Sequence, residues 1–393
     1  MTDVTAHADA PVGLRGRLQR RLRRDRRRAA RHATIGGAIA LAAVLGGQLS
    51  TQIETAPAVA DGPIGDDDAV FSAAMVGDVM FGRHVERVIE RHGHDALLHD
   101  VEPWLEGDYV SANLEQVISD EDDLPEADKL IHLSSGSEAA AALAGAGFTT
   151  VSLANNHAMD HGIPGLRDTI EALDDVGIAH AGAGVDLDEA VRTDYQEHGD
   201  LTVATLSFTD AFVEGFIARS FQGGVLQADP GTFGPLIQQA DQEADLVIAH
   251  FHWGEEYDLS PNADQRELAR FAAEAGADIV VGHHPHVLMP VERIDDTLVF
   301  YSLGNFVFDQ GWSRTRESAI ARYHLGADGT ARVELLPVYL REASPQRLDG
   351  PLDAYRRARI FQRLRGDELD WERDGTALVA ELDHGHVLEG AQP

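Results

Sequence analysis

Nine short apolar runs cross residues 70–339, and stretches of helical spacing separate most of them. Runs of this length bounded by polar turns suit strands buried on both faces, and such strands need helices to cover them. The strands expected are Val70–Val76, Tyr109–Ala112, Thr149–Leu153, Leu201–Ser207, Leu246–Phe251, Ile279–Val281, Leu298–Ser302, Ala319–Leu325 and Ala331–Tyr339. Helical spacing marks Arg83–Arg91, Ser137–Ala146, Pro164–Val176, Phe233–Gln242 and Asn262–Ala275. Pro164 and Pro261 stand near helix starts, and Gly147, Gly177 and Gly276 near helix ends. The fold class is therefore α/β. No internal repeat is present, Asp120–Asp128 reads as a solvated acidic loop, and Leu352–Leu382 reads as a peripheral amphipathic helix.

Polar residues gather where these strands end, which is where open α/β sheets bind ligands. The ends read Gly77-Asp78, Asn113-Leu114-Glu115, Asn155-Asn156-His157, His250-Phe251-His252, His283-His284-Pro285-His286 and Gly304-Asn305. Taken singly each is weak, since a strand-end Asp caps turns, Asn forms them, and a lone His is more often structural. The histidine triple is stronger, because two imidazoles one residue apart on an extended segment point the same way. With no cysteine in the chain, a metal here must be held by nitrogen and oxygen, a donor set suited to Mn, Fe or Zn.

In order and interval, these motifs resemble the poly-γ-glutamate capsule-synthesis family (CapA/PgsA), a branch of the calcineurin-like metallophosphatases. The residues that carry the resemblance are Gly77-Asp78 through Gly82-Arg83, Asn113-Leu114-Glu115, Leu153–His157 with Asp160 and Gly162, His252-Trp253-Gly254 with Glu256-Tyr257, Gly282 with His284-Pro285-His286-Val287, and Tyr301–Phe306. The resemblance covers roughly residues 72–325. It implies a four-layer α/β/β/α sandwich with two central mixed sheets. It also implies one or two divalent ions held by Asp78, Glu115, Asn156, His252, His284 and His286. By the same resemblance His157 contacts the scissile group or protonates the leaving group, and Asn113, Glu256, Tyr257 and Asn305 fall to substrate. Two positions depart from the pattern. Met80 stands where a ligand histidine is expected two residues after Asp78, and Met289 where a glutamine is expected. The first leaves one metal site short of a ligand, and so weak, absent or filled from elsewhere, with His283 or His250 the first candidates in the last case. Arg83 is either an anion-binding catalytic charge or half of an ion pair.

Charge and the N-terminus bear on location. The chain has 32 basic and 66 acidic residues, a formal charge of −34. Ten arginines lie between Arg15 and Arg31, so residues 61–393 carry 22 basic against 62 acidic side chains, or −40. Such a field repels polyanions and excludes nucleic acid as a partner. After the arginines, Ala33–Gly47 is small and apolar except for Thr34; as a helix it spans roughly 22 Å, short of the ~30 Å hydrocarbon core. A signal peptide cleaved after Ala58-Val59-Ala60 and a single membrane anchor both fit, and either exports the acidic body. The expected organisation is residues 1–60 as this basic segment, 61–70 an acidic linker, 71–340 the sandwich domain and 341–393 a peripheral helical extension. Two functions follow from the resemblance: a metal-dependent hydrolase acting on an anionic polymer or phosphoester, or a non-catalytic subunit that binds polymer or organises a membrane capsule synthase. An unrelated secreted phosphatase is the third.

Overall fold

The computed structural model describes residues 69–390 apart from Ser313; the N-terminal basic and apolar segments lie outside it. Each of the nine expected strands is present, and so are the five helices. The strands form two mixed sheets. In the ten-stranded sheet, Ala69–Val79 is central, with Tyr109–Leu114, Thr150–Ser152 and Ala179–Ala181 following in parallel on one side. On its other side Glu317–Gly326, Thr330–Arg341, Ala377–Asp383 and Glu372–Asp374 continue antiparallel. The six-stranded sheet has a parallel centre of Leu201–Thr209, Leu246–His252, Ile279–His283 and Thr297–Phe300, with antiparallel edges Asp194–His198 and Val291–Ile294.

Alternation along the strands builds the layers, because successive side chains leave opposite faces. Phe71, Ala73 and Met75 face the second sheet and pack with Val203, Ile248, Val281 and Phe300. Their neighbours Ala74 and Val76 face the other way, toward Leu143, Leu166 and Leu173 of helices Glu138–Gly145 and Gly162–Val176. On the second sheet, Val247, Ala249 and Phe251 pack on Phe233, Ile237, Leu268 and Ala272 of helices Pro230–Glu243 and Ala263–Glu274. The result is the expected α/β/β/α sandwich. Asn262 and Gln265 close the start of the last helix in a reciprocal capping box, so Asn262→Ala should cost about 1 kcal/mol of stability in denaturant titration.

The C-terminal extension departs from expectation. Only Ala354–Leu364 is α-helical in the stretch read as amphipathic helix, and Glu372–Asp374 and Ala377–Asp383 are strands that widen the first sheet. The reason is a period of two: Leu378, Ala380 and Leu382 enter the core between the sheets, while Ala377 and Val379 join the outer cluster. Pairing Ala331↔Leu382 through Leu335↔Leu378 satisfies a strand edge that would otherwise stand open.

Candidate metal centre

Register places the site. In the first sheet Asp78 lies opposite both Asn113 and Asn305; in the second His252 lies opposite both Thr209 and His283. These rows sit at the carboxyl ends of the parallel strands. Gly77 is what allows Asn305 to be there, since a Cβ at residue 77 would lie 1.7 Å from the Gly304 carbonyl oxygen. That carbonyl accepts the Asp78 backbone N–H at 3.0 Å, drawing the Asn305–Val307 strand against the centre.

Asp78, Glu115, His252, His284 and His286 are all buried. Donor atoms of Asp78, Glu115 and His252 lie within 4.8 Å of one another, as do those of Glu115, His284 and His286. Asn156 joins them, its Oδ1 3.0 Å from His252 Nε2. The six expected ligands therefore converge. A divalent cation fits this set on its chemistry, because two buried carboxylates meet several imidazoles, and Asp78 Oδ2 and His284 Nδ1 are buried without a hydrogen-bond partner. Such orphaned acceptors are costly unless a cation completes them.

The convergence of His284 and His286 has a different cause from the one expected. The segment is not extended: His284 and His286 have φ of 91° and 56°, in the left-handed region that disfavours side chains. The left-handed residues on either side of Pro285 bend the chain and bring the rings to 5.9 Å. Strain of order 1–3 kcal/mol per residue is thus held at the loop that carries two ligands.

Electrostatics divides the site. Burial works to raise the Asp78 carboxyl, but the imidazoles of His283 and His286 outweigh it and hold it well below its ordinary value. Burial dominates at Glu115, whose carboxyl lies well above its ordinary value with Asp78 adding to the rise. Burial also lowers His284, to about 4, with His286 contributing. His286 goes the other way, because Glu115 and Asp78 overcome burial and push it up to about 9. A raised value favours the protonated fold, so this stabilisation is complete below the unfolded value of about 6.5 and fades as pH climbs through 9. Chelator-treated protein should therefore lose thermal stability from pH 6.5 to 9, and Mn²⁺ should restore more of it at the higher pH, where no proton need be displaced. A thermal midpoint flat across this window, or equally sloped in His286→Gln, would contradict the assignment.

Asn113 and Asn305, expected to contact substrate, have their side chains engaged within the protein. Each is fully buried. Asn113 Nδ2 donates to Asp78 Oδ1 at 2.9 Å, and its Oδ1 accepts from Asn155 at 3.1 Å. Asn305 Oδ1 accepts from His286 Nδ1 at 2.9 Å, while its amide nitrogen is spent on Gln310 and the Thr315 carbonyl. The two asparagines orient ligands, and Asn305 leaves His286 Nε2 as the nitrogen that faces Glu115, 3.7 Å away. Glu256 is exposed at the rim. Tyr257 is half-buried, its hydroxyl accepting from Gln310 Nε2 at 3.3 Å and its ring 4.8 Å from that of Trp312. Arg83 forms a forked ion pair with Asp309 through Nε and a terminal nitrogen, with its side chain 38% exposed. Its fork is thereby committed to that acid. Met80 packs in the outer apolar cluster of the first sheet, and Met289 in that of the second, 3.8 Å from Gln265 Nε2.

His157 is buried beside the ligands. Its Nδ1 is 2.7 Å from Asp160 Oδ2, so the Nδ1–H donates to the carboxylate and Nε2 is left for chemistry. Burial lowers this imidazole from its ordinary value, with Asp160 acting against the shift. The sequence reading missed Lys129. Its ammonium donates to Asp160 Oδ1 and to the Asn156 carbonyl, both at 2.6 Å, and lies 3.2 Å from His157 Nδ1. One cation therefore braces the acid behind His157 and the backbone of a ligand. The signal available was compositional: Lys129 is the single lysine in a chain whose other basic residues are all arginine.

Residues 72–310 match the family model described as bacterial capsule synthesis protein PGA_cap. The chain belongs to that family. It is 44% identical over 325 residues to the PGA biosynthesis protein CapA of Bacillus subtilis (strain 168), covering 82% of this chain and 85% of that protein. It is 42% identical over 325 residues to the capsule biosynthesis protein CapA of Bacillus anthracis, covering 80% and 78%. A probable polyglutamine synthesis accessory protein of Mycobacterium tuberculosis is 32% identical over 168 residues, or 40% of this chain and 44% of that one.

Proposed function

We propose that this protein acts at the cell envelope in the synthesis or export of an anionic capsule polymer of the poly-γ-glutamate type. Its strand-end centre hydrolyses a phosphoester or an amide, with a phosphoester the better match to the ligand set. The observation that carries this reading is the union of two features in one buried site: a convergent carboxylate, amide and imidazole cluster, and a separate His157–Asp160 pair with one free ring nitrogen. When bound, divalent ions would supply Lewis acidity and a nucleophilic hydroxide at neutral pH. Asp78, Glu115, Asn156, His252, His284 and His286 would hold them. The imidazolium form of His157, its Nδ1–H held by Asp160, would deliver the Nε2 proton to the leaving group, and the ring would take a proton from solvent to restart the cycle. The names of the Bacillus relatives support the polymer assignment.

A body of charge −40 repels a polyanion. Bound cations would supply the local positive charge that admits the substrate, and added salt should lower KM by screening the surrounding field. Purified protein assayed on phosphodiesters and γ-glutamyl amides, with Mn²⁺ and with chelator, tests the reading. Metal-dependent turnover of either supports it; stoichiometric metal without turnover of either favours the non-catalytic subunit of a membrane capsule synthase. On an active substrate, Lys129→Met should lower kcat roughly 10–100-fold with metal content unchanged, the range typical of groups that act through another side chain. Turnover equal to wild type would remove Lys129 from the account.

For location, the body is proposed to be extracytoplasmic, either tethered by the N-terminal segment or released after signal cleavage. Among the described residues no helix is long and apolar enough to cross a membrane. Protease added to intact protoplasts should digest the body, and protection of the whole body would contradict export.

A further inference from the structure

The centre as expected from the resemblance lacks one imidazole, because Met80 packs into apolar side chains and offers nothing to Asp78. His283 stands where a replacement is needed. It ends the strand Ile279–His283 in register with His252, is 1% exposed, and its Nδ1 is buried with no hydrogen-bond partner. That nitrogen lies 3.6 Å from Asp78 Oδ1. The separation is too long for a hydrogen bond, and close to the roughly 3.0–3.4 Å between two donors each about 2.1 Å from one ion.

The other side of the ring is held as a metal ligand's would be. His283 Nε2 is 3.0 Å from His250 Nδ1, with the two rings nearly parallel, 8° apart. His250 Nε2 is 3.2 Å from the Tyr109 hydroxyl, which accepts from Thr205. Protons placed on His283 Nε2 and His250 Nε2 run this row toward the Tyr109 oxygen and leave a lone pair on His283 Nδ1, aimed at Asp78. Every member is buried, so the row is fixed by packing, and an outer partner that sets a ligand's tautomer is the usual support of a metal-bound imidazole.

We propose that His283, through Nδ1, is a ligand in the half of the centre that contains Asp78, replacing the histidine absent at residue 80, and that His250 is its positioning residue. The proposal rests on the metal-centre reading above. Full-length wild type, His283→Gln and His250→Phe, loaded with Mn²⁺ and brought to dialysis equilibrium, would be compared by metal per folded chain. Wild type should hold two ions. His283→Gln should hold one fewer, with the affinity of the remaining ion unchanged, whereas His250→Phe should keep both but bind one roughly 10–100-fold more weakly. Retention of the full wild-type complement at wild-type affinity by folded His283→Gln overturns the proposal and leaves the metal centre standing. No bound ion in wild type overturns the metal-centre reading, and the proposal with it. Circular dichroism establishes folding; if His283→Gln is unfolded, wild-type affinity for both ions in His250→Phe is the overturning result.

Discussion

Replacing His157 with alanine is expected to lower hydrolysis by roughly 10²–10⁴-fold, the contribution of a positioned proton donor, while bound metal stays nearly at the wild-type level. The separation of effects follows from geometry. His157 spends Nδ1 on Asp160, and its backbone N–H donates to Asn155 Oδ1, so its tether to the centre is the chain beside Asn156 and not a donor atom. His157→Gln should behave similarly, since an amide has no titratable proton. Kinetics on the active substrate together with elemental analysis of the same preparation decides the matter. If His157→Ala loses metal as completely as His284→Ala does, the division between ligand and proton donor is wrong.

Glu115→Gln should have the widest effect on the metal. Glu115 is common to both groups of converging donors, with Oε1 3.9 Å from His252 Nε2 and 3.7 Å from His286 Nε2. An amide in its place keeps the shape but removes the charge that both halves share. Metal content should fall by more than about 90%, the consequence of an affinity loss of roughly 10²-fold or more when a charged ligand goes. His252→Ala and His284→Ala should each empty one half and spare part of the other. Dialysis against limiting Mn²⁺ distinguishes these patterns, and full occupancy in Glu115→Gln would place the ions elsewhere.

Much of this was legible in the sequence because burial on both faces of a parallel strand forces continuous apolar runs, and the site hangs on the ends of those runs. Asp78, Asn113, His252 and His283 each fall within a residue or two of the last residue of such a run, so strand placement and site placement came together. What was not legible depended on contacts between distant segments. Asn113 and Asn305 carry the same polar side chain whether it faces substrate or a neighbouring ligand, and only the register Asp78↔Asn113 and Asp78↔Asn305 shows that they face inward. Lys129 lies just after an acidic loop, and the hydrogen bond from Ala127 N to the Asp160 carbonyl at 2.9 Å helps bring it to His157. The strand Ala377–Asp383 was obscured by a short apolar run, which fits helix and strand equally until the open edge of Thr330–Arg341 selects strand.

The central claim is that one buried strand-end cluster holds divalent metal. It is tested most directly by elemental analysis of folded wild-type protein after loading with Mn²⁺, Fe²⁺ or Zn²⁺ and exhaustive dialysis against metal-free buffer. The account predicts at least about one tightly held ion per chain, removed by chelator and absent from Glu115→Gln. Less than about a tenth of an ion per folded chain, with any of the three metals, would contradict it.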